Sequence, residues 1–251
     1  MPEAPFSLAV VPHAPLLLPT VAGPGDPCAG SRAAASSLLA DFGSTTFIVV
    51  SPHAERTGVY AEARGDLSRF GIPGVVISAE ASRVSGELAP LWSQPALDGP
   101  VDHGALVPMA LAPEGSRFIC CGIAESATAD GSVAIGIALA RAVHSLDWDM
   151  PVTFIASAHT AASLSPRAPL MERPEGQEFD AAVVGLLREG PSRLAESDSI
   201  PSELWARGGS CSRGPLAALG ELARLCGVDT FEILSHEWPV GVGLVVARGN
   251  L

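Results

Sequence analysis

The chain contains no lysine; all 15 of its basic residues are arginine. That absence excludes Schiff-base chemistry and the lysine of a phosphate-binding P-loop. Positive charge is scarce altogether. Against 27 acidic residues it leaves a net charge of −12, and the sequence pI is about 4.8. A chain this acidic, without a basic cluster, is unsuited to nucleic acid or to an anionic membrane surface. Long apolar runs are missing too. Hydrophobic residues make up 47% of the chain, and the mean hydropathy is +0.32. Yet Pro, Gly, Ser or a charge interrupts each stretch before the roughly 18–20 residues that a membrane span requires. The opening residues, MPEAPFSLAVVPHAPLLLP, carry an acid where a secretory leader has a basic region, and they do not read as a signal peptide. Cysteine is sparse and odd in number: Cys28, Cys120, Cys121, Cys211 and Cys226. With no CxxC pair, the expectation is free thiols in a reducing cytoplasm. Cys120 and Cys121, in the apolar run RFICCGIA, read as core residues.

What is present is an alternation of strand and helix. Ser7–Val11, Thr45–Val50, Gly74–Ser78, Arg117–Gly122, Pro151–Ser157, Thr230–Ser235 and Gly241–Ala247 are short apolar runs bounded by Pro, Gly or polar residues, and they read as buried strands. Ala29–Phe42, Ser132–Leu146 behind an Asp130 N-cap, Glu175–Arg188, and Pro215–Leu225 closed by Gly227 read as helices. Continuous apolar strands separated by helices predict a sheet covered on both faces. The short link between the last two strands predicts an antiparallel end. The expected fold is a single α/β domain over residues 1–251: an α/β/α sandwich on a mostly parallel mixed sheet.

There are six histidines, and four of them stand just past a predicted strand: His13, His53, His159 and His236. His103 lies in a predicted loop, VDHGALVPMAL, and His144 in a helix. Ligands of open α/β sheets bind outside the carboxyl ends of the strands, where side chains from several strands converge. Two histidines and a carboxylate brought together there form a facial triad, which suits Fe(II) far better than Mg(II). Glu237, beside His236, is a carboxylate at such a position.

The segments PHAPLLLPTVAG, VSPHAERTGVY, VDHGALVPMAL, SAHTAASLSPRAP with GQEFDAAVV, and LSHEWPVGVGLVVA resemble, in order, the blocks of the class III extradiol ring-cleavage dioxygenase catalytic-subunit (LigB-like) superfamily. The resemblance implies Fe(II) held by His13, His53 and Glu237, with Zn(II) or another divalent ion able to replace it in a purified sample. It implies His159 as acid–base catalyst and His103 near substrate and dioxygen. The implied reaction opens a catechol- or aminophenol-like ring with O2, in a cytoplasmic protein whose family suggests a homodimer. Tyr60, Arg167 and Trp238 are candidates to contact the substrate. The sequence departs from the family pattern at Ile155 and Ala156, where many members have Gly-Asp, and at Ala54, where many have an aromatic. Two other functions stand beside the first. One is a metal-binding, Memo-like protein without oxygenase activity. The other is a metal-assisted hydrolase, since the expected fold resembles that of phosphorylase-type hydrolases.

Overall fold

A computed structural model describes residues 6–43 and 45–250. In chain order the strands are β1 (Phe6–Val11), β2 (Thr46–Ala54), β3 (Gly58–Tyr60), β4 (Arg64–Leu67), β5 (Ile72–Ser78), β6 (Glu80–Ala81), β7 (Ala96–Leu97), β8 (Arg117–Ala124), β9 (Val152–Ser157), β10 (Thr230–Glu237) and β11 (Leu244–Asn250). The helices are α1 (Pro19–Ala22), α2 (Ala29–Asp41), α3 (Ser85–Trp92), α4 (His103–Leu111), α5 (Ala129–Ser145), α6 (Pro174–Glu189), α7 (Ser202–Gly208) and α8 (Arg213–Cys226).

Nine strands form one sheet in the order β10-β11-β1-β9-β2-β8-β3-β7, with β6 paired to β8. The centre, β1-β9-β2-β8, is parallel. β11 runs antiparallel to both β1 and β10. The expected α/β/α sandwich on a mixed, largely parallel sheet is what forms. β4 and β5 make a separate two-stranded ribbon, so the predicted Gly74–Ser78 strand exists but lies outside the main sheet.

The two faces follow from strand alternation. Leu8, Val10, Ile48, Val50, Cys121 and Phe154 belong to the core that includes α5, α6 and α8. Ala9, Val11, Phe47, Val49, Cys120 and Ile155 belong to the core with α2 and α4. Adjacent Cys120 and Cys121 thus enter opposite cores, both as buried thiols. Phe154 is wholly buried; truncating such a side chain to alanine costs about 3–5 kcal/mol.

Three expectations need correction. Helix α5 is capped by Thr128, whose hydroxyl accepts from Gly131 N–H, and Asp130 falls inside its first turn. The segment holding His103 is a helix rather than a loop. Pro108 within α4, and Pro90 within α3, disguise both helices in the sequence. β2 does not stop at Ser51-Pro52 but continues to Ala54, carrying His53 within the strand. Among the described residues, no helix is long and apolar enough to cross a membrane.

Candidate metal centre

Register brings three histidines together. Val11 pairs with Ser157 across β1 and β9, and Val50 pairs with Ala156 across β2 and β9. His13 and His159, just past the ends of β1 and β9, and His53, inside the end of β2, therefore stand at the same register on three adjacent parallel strands. The His13 and His159 ring centroids are 3.9 Å apart, and those of His13 and His53 5.0 Å. His103 arrives from a different direction, as the first residue of α4. Its ring stacks on His53 at 4.2 Å. One ring nitrogen from each of His13, His53 and His103 can be chosen so that all lie within 4.8 Å of one another.

Asp102 sets the entry of α4. Its Oδ1 accepts from Gly104 N–H at 2.7 Å as the N-cap, and also from the Ser51 hydroxyl. Its Oδ2 accepts from the Tyr60 hydroxyl at 3.1 Å. A side chain at Gly104 would put its Cβ 2.1 Å from Ser51 Oγ, so only glycine allows the helix start to approach β2 this closely. Tyr60 is buried, and its hydroxyl is committed to Asp102.

The tautomers can be assigned from the bonds. The Ser157 hydroxyl donates to Gly104 C=O at 2.6 Å. It must therefore accept from His13 Nδ1–H, 2.9 Å away. His53 Nδ1 lies 3.1 Å from Glu125 Oε1, an ionised carboxylate that only accepts. Both rings thus carry their proton on Nδ1 and present Nε2 as a lone pair. These two Nε2 atoms are 3.2 Å apart. Cys211 Sγ is 3.5 Å from His13 Nε2. Buried His103 Nδ1 and His159 Nδ1 have no partner. The converging Nε2 lone pairs of His13 and His53, each ring held from behind by an oxygen, are the arrangement a metal-ligating histidine requires.

Burial and neighbouring rings favour the neutral forms of His13, His103 and His159. Burial, then the neighbouring His159, His53 and His103, hold His13 well below the usual histidine range. Burial and His53 lower His103 to about 3, and burial with His53 and His103 does the same for His159. Cys211 is solvent accessible, yet the protein around its sulfur pushes the thiol up to about 11 by desolvation. The residues fit a divalent ion: three imidazoles with a thiol alongside suit Fe(II), Zn(II) or copper.

Glu237 is not among them. Its Oε1 accepts from Ser31 N–H at 2.7 Å and from the Ser31 hydroxyl at 2.6 Å, so it neutralises the N-terminus of α2 from across the chain. Gly30 leaves room for it; a Cβ there would lie 3.2 Å from both carboxylate oxygens. The reason is topological. β11 intervenes between β10 and β1, which sets β10 roughly 10 Å from the strand that delivers His13. His236 faces the other layer, with Nε2 2.9 Å from buried Asp180.

A cavity of about 800 Å³ opens on the cluster, with His13, His53, His103 and His159 in its wall. A second, of about 400 Å³, shares His53 and His103 and includes Tyr60. Arg167 and Trp238 line neither. Arg167 is exposed, and Trp238 packs edge-on to His236 at 5.4 Å. Sequence reasoning missed Glu125, Ser157, Asp102 and Cys211. Their signal was position alone: Ser157 ends β9, Glu125 follows β8, and Asp102 and Cys211 immediately precede α4 and the N-cap of α8.

No family model matches the chain, and no curated protein matches it. Among solved structures, an uncharacterized protein of Escherichia coli K12, JW3007, is similar with a TM-score of 0.63 at 18% identity, over 96% of this chain and 98% of that one. The likeness is one of fold.

Proposed function

We propose that the chain is a metal-dependent enzyme of the extradiol type, opening a catechol- or aminophenol-like ring with dioxygen. The observation that carries this reading is the pair of Nε2 lone pairs, His13 and His53, facing each other at 3.2 Å on the wall of a cavity large enough for an aromatic ring. His13, His53 and His103 would hold the ion. His103 replaces Glu237 as third ligand in this proposal, and Fe(II) is the ion it favours. Such an ion supplies Lewis acidity toward the phenolic oxygens and the redox capacity that dioxygen chemistry demands.

The chain's own residues supply the rest. His159, neutral because burial and its neighbours lower it to about 3, starts as a proton acceptor for a substrate hydroxyl and returns that proton later. Ser157 and Glu125 fix the His13 and His53 rings through their Nδ1 protons. Leu16, Ile123, Val240 and Val242 give the cavity an apolar lining that seats a ring and displaces water. The overall change adds both atoms of O2 across one ring carbon–carbon bond, which breaks.

The test is anaerobic Fe(II) loading, followed by oxygen uptake and absorbance with catechol, protocatechuate and 2-aminophenol. Uptake with a yellow product, absent in His53→Ala, is the expected result. Stoichiometric iron without uptake on any of the panel would overturn the reading.

One observation favours a second function. Cys211 Sγ at 3.5 Å from His13 Nε2 offers a softer His-His-Cys set, which suits Zn(II) or Cu(I). That set fits a hydrolase or a Memo-like metal-binding protein better than an oxygenase. Preference for Zn(II) over Fe(II), together with ester or amide turnover, would move the assignment to the hydrolase; the same preference without turnover would move it to the binding protein.

A further inference from the structure

The segment that follows β9 is held largely by main-chain bonds. Ala158 N–H donates to Val11 C=O, Thr160 N–H to Gly243 C=O, Ala162 N–H to Gly208 C=O and Leu164 N–H to Gly241 C=O. His159 differs. Its N–H donates to the Ser212 hydroxyl at 2.8 Å, and its C=O accepts from the Ser210 hydroxyl at 3.0 Å. The two serines flank Cys211, whose sulfur lies 3.5 Å from His13 Nε2. One tripeptide thus grips the main chain of His159 and touches the ring of His13, and those two rings sit 3.9 Å apart.

Ser212 is diverted from the usual task of its position. It is the N-cap residue of α8, where a serine hydroxyl normally accepts from the first turn of its own helix. Here the side chain makes no cap bond, and the wholly buried hydroxyl serves His159 instead. Ser210 accepts from Ser212 N–H at 3.1 Å while donating to His159, so the two hydroxyls form one connected unit. The ring of His159 lacks the anchor that its neighbours have. His13 and His53 are oriented through Nδ1, by Ser157 and Glu125. His159 Nδ1 is buried without a partner, which leaves the main chain as the place from which this residue is held.

We infer that Ser210 and Ser212 are positioning residues that set the His159 ring against His13, in place of the Nδ1 bond that orients the other two histidines. The use of that ring to move a proton rests on the proposed function; its placement by the serines does not. A group fixed by its main chain keeps its ring nitrogens free for proton exchange, and small displacements of such a group cost rate steeply.

The experiment reads His159 directly, in the intact chain without added metal. Carbethoxylation by diethyl pyrocarbonate near neutral pH is followed by peptide mass mapping, with exposed His144 as internal standard. Ser210→Ala and Ser212→Ala are each expected to raise the His159 rate, relative to His144, by about three- to tenfold, as loss of one hydrogen bond implies. Ser210→Thr keeps a hydroxyl and is expected to stay near the wild-type rate. Ser163→Ala controls for general loosening. It removes a buried hydroxyl from the same segment, bonded to Gly208 C=O at 3.0 Å, and is expected to lower the thermal midpoint without opening His159 to the reagent. An unchanged rate in either Ser210→Ala or Ser212→Ala, or an equal rise in Ser210→Thr or Ser163→Ala, would overturn the inference. Kinetics give the second readout. With iron-loaded protein and a substrate whose ring is opened, both alanine variants are expected to lower kcat by about ten- to hundredfold at unchanged KM and metal content; an unchanged kcat would also overturn it. Raised His159 reactivity in a protein that opens no ring supports the placement and counts against the dioxygenase reading alone.

Discussion

Nε2 of His13 and Nε2 of His53 face each other across 3.2 Å, and each ring's proton is held on its other nitrogen, by Ser157 and by Glu125. Two lone pairs at that separation repel unless a cation lies between them. The first prediction follows. His13→Ala and His53→Ala each abolish binding of divalent metal, measured by elemental analysis after Fe(II) or Zn(II) loading. Glu125→Gln leaves an acceptor for Nδ1 but removes its charge, and weakens metal binding by about tenfold or more.

Glu237→Ala separates the sequence reading from the structural one. The resemblance assigns this carboxylate to the metal. The structure commits it to Ser31 and the start of α2. The variant is expected to retain stoichiometric metal and to lose about 1–3 kcal/mol of stability, the cost of leaving buried donors unmet. Metal analysis and urea unfolding on the same sample decide it; loss of metal with unchanged stability would restore Glu237 to the centre.

His159→Ala is expected to keep metal and lose turnover, since the ring contacts His13 but its Nδ1 is bonded to nothing. Tyr60→Phe is expected to leave substrate affinity unchanged and to destabilise the protein by about 1 kcal/mol, through the lost bond to Asp102. Steady-state kinetics and thermal unfolding read the two separately.

The metal-free protein should weaken in acid. His103 and His159 have folded values near 3, below the ordinary 6.5, so between those limits the unfolded chain binds more protons. Their contribution is whole above pH 6.5 and is lost as pH falls toward 3. The slope is at most about 1.4 kcal/mol per pH unit for each histidine. Bound metal prolongs stability to lower pH, because it occupies the neutral imidazoles. Urea midpoints from pH 4 to 8, with and without Zn(II), check both statements.

Most of the sheet was legible because its central strands, β1, β9, β2 and β8, are predominantly apolar and buried and are bounded by Pro, Gly or polar residues. The short strands β3, β6 and β7 and the proline-containing helices α3 and α4 were not. Two- and three-residue strands have no period to read, and an internal proline contradicts the helix pattern. In the site, the strand-end rule found His13, His53 and His159, because equal offsets on neighbouring parallel strands become adjacency in space. The same rule failed for Glu237. It assumes that strand ends lie near one another, while strand order is fixed by pairing partners far apart in sequence. Nothing local to Glu237 indicates that β11 folds back between β10 and β1.

The Ser157 hydroxyl has a consequence of its own. It accepts from His13 and donates to the carbonyl of Gly104, the residue after His103. A proton on one ring is thereby tied to where another ring's helix begins. Were α4 to withdraw, Ser157 would lose its acceptor and could turn its hydrogen toward His13, moving that ring's proton from Nδ1 to Nε2 and closing its lone pair. The two imidazoles, 90 residues apart in the chain, act as a single latch: the geometry that presents one is the condition for the other being able to bind.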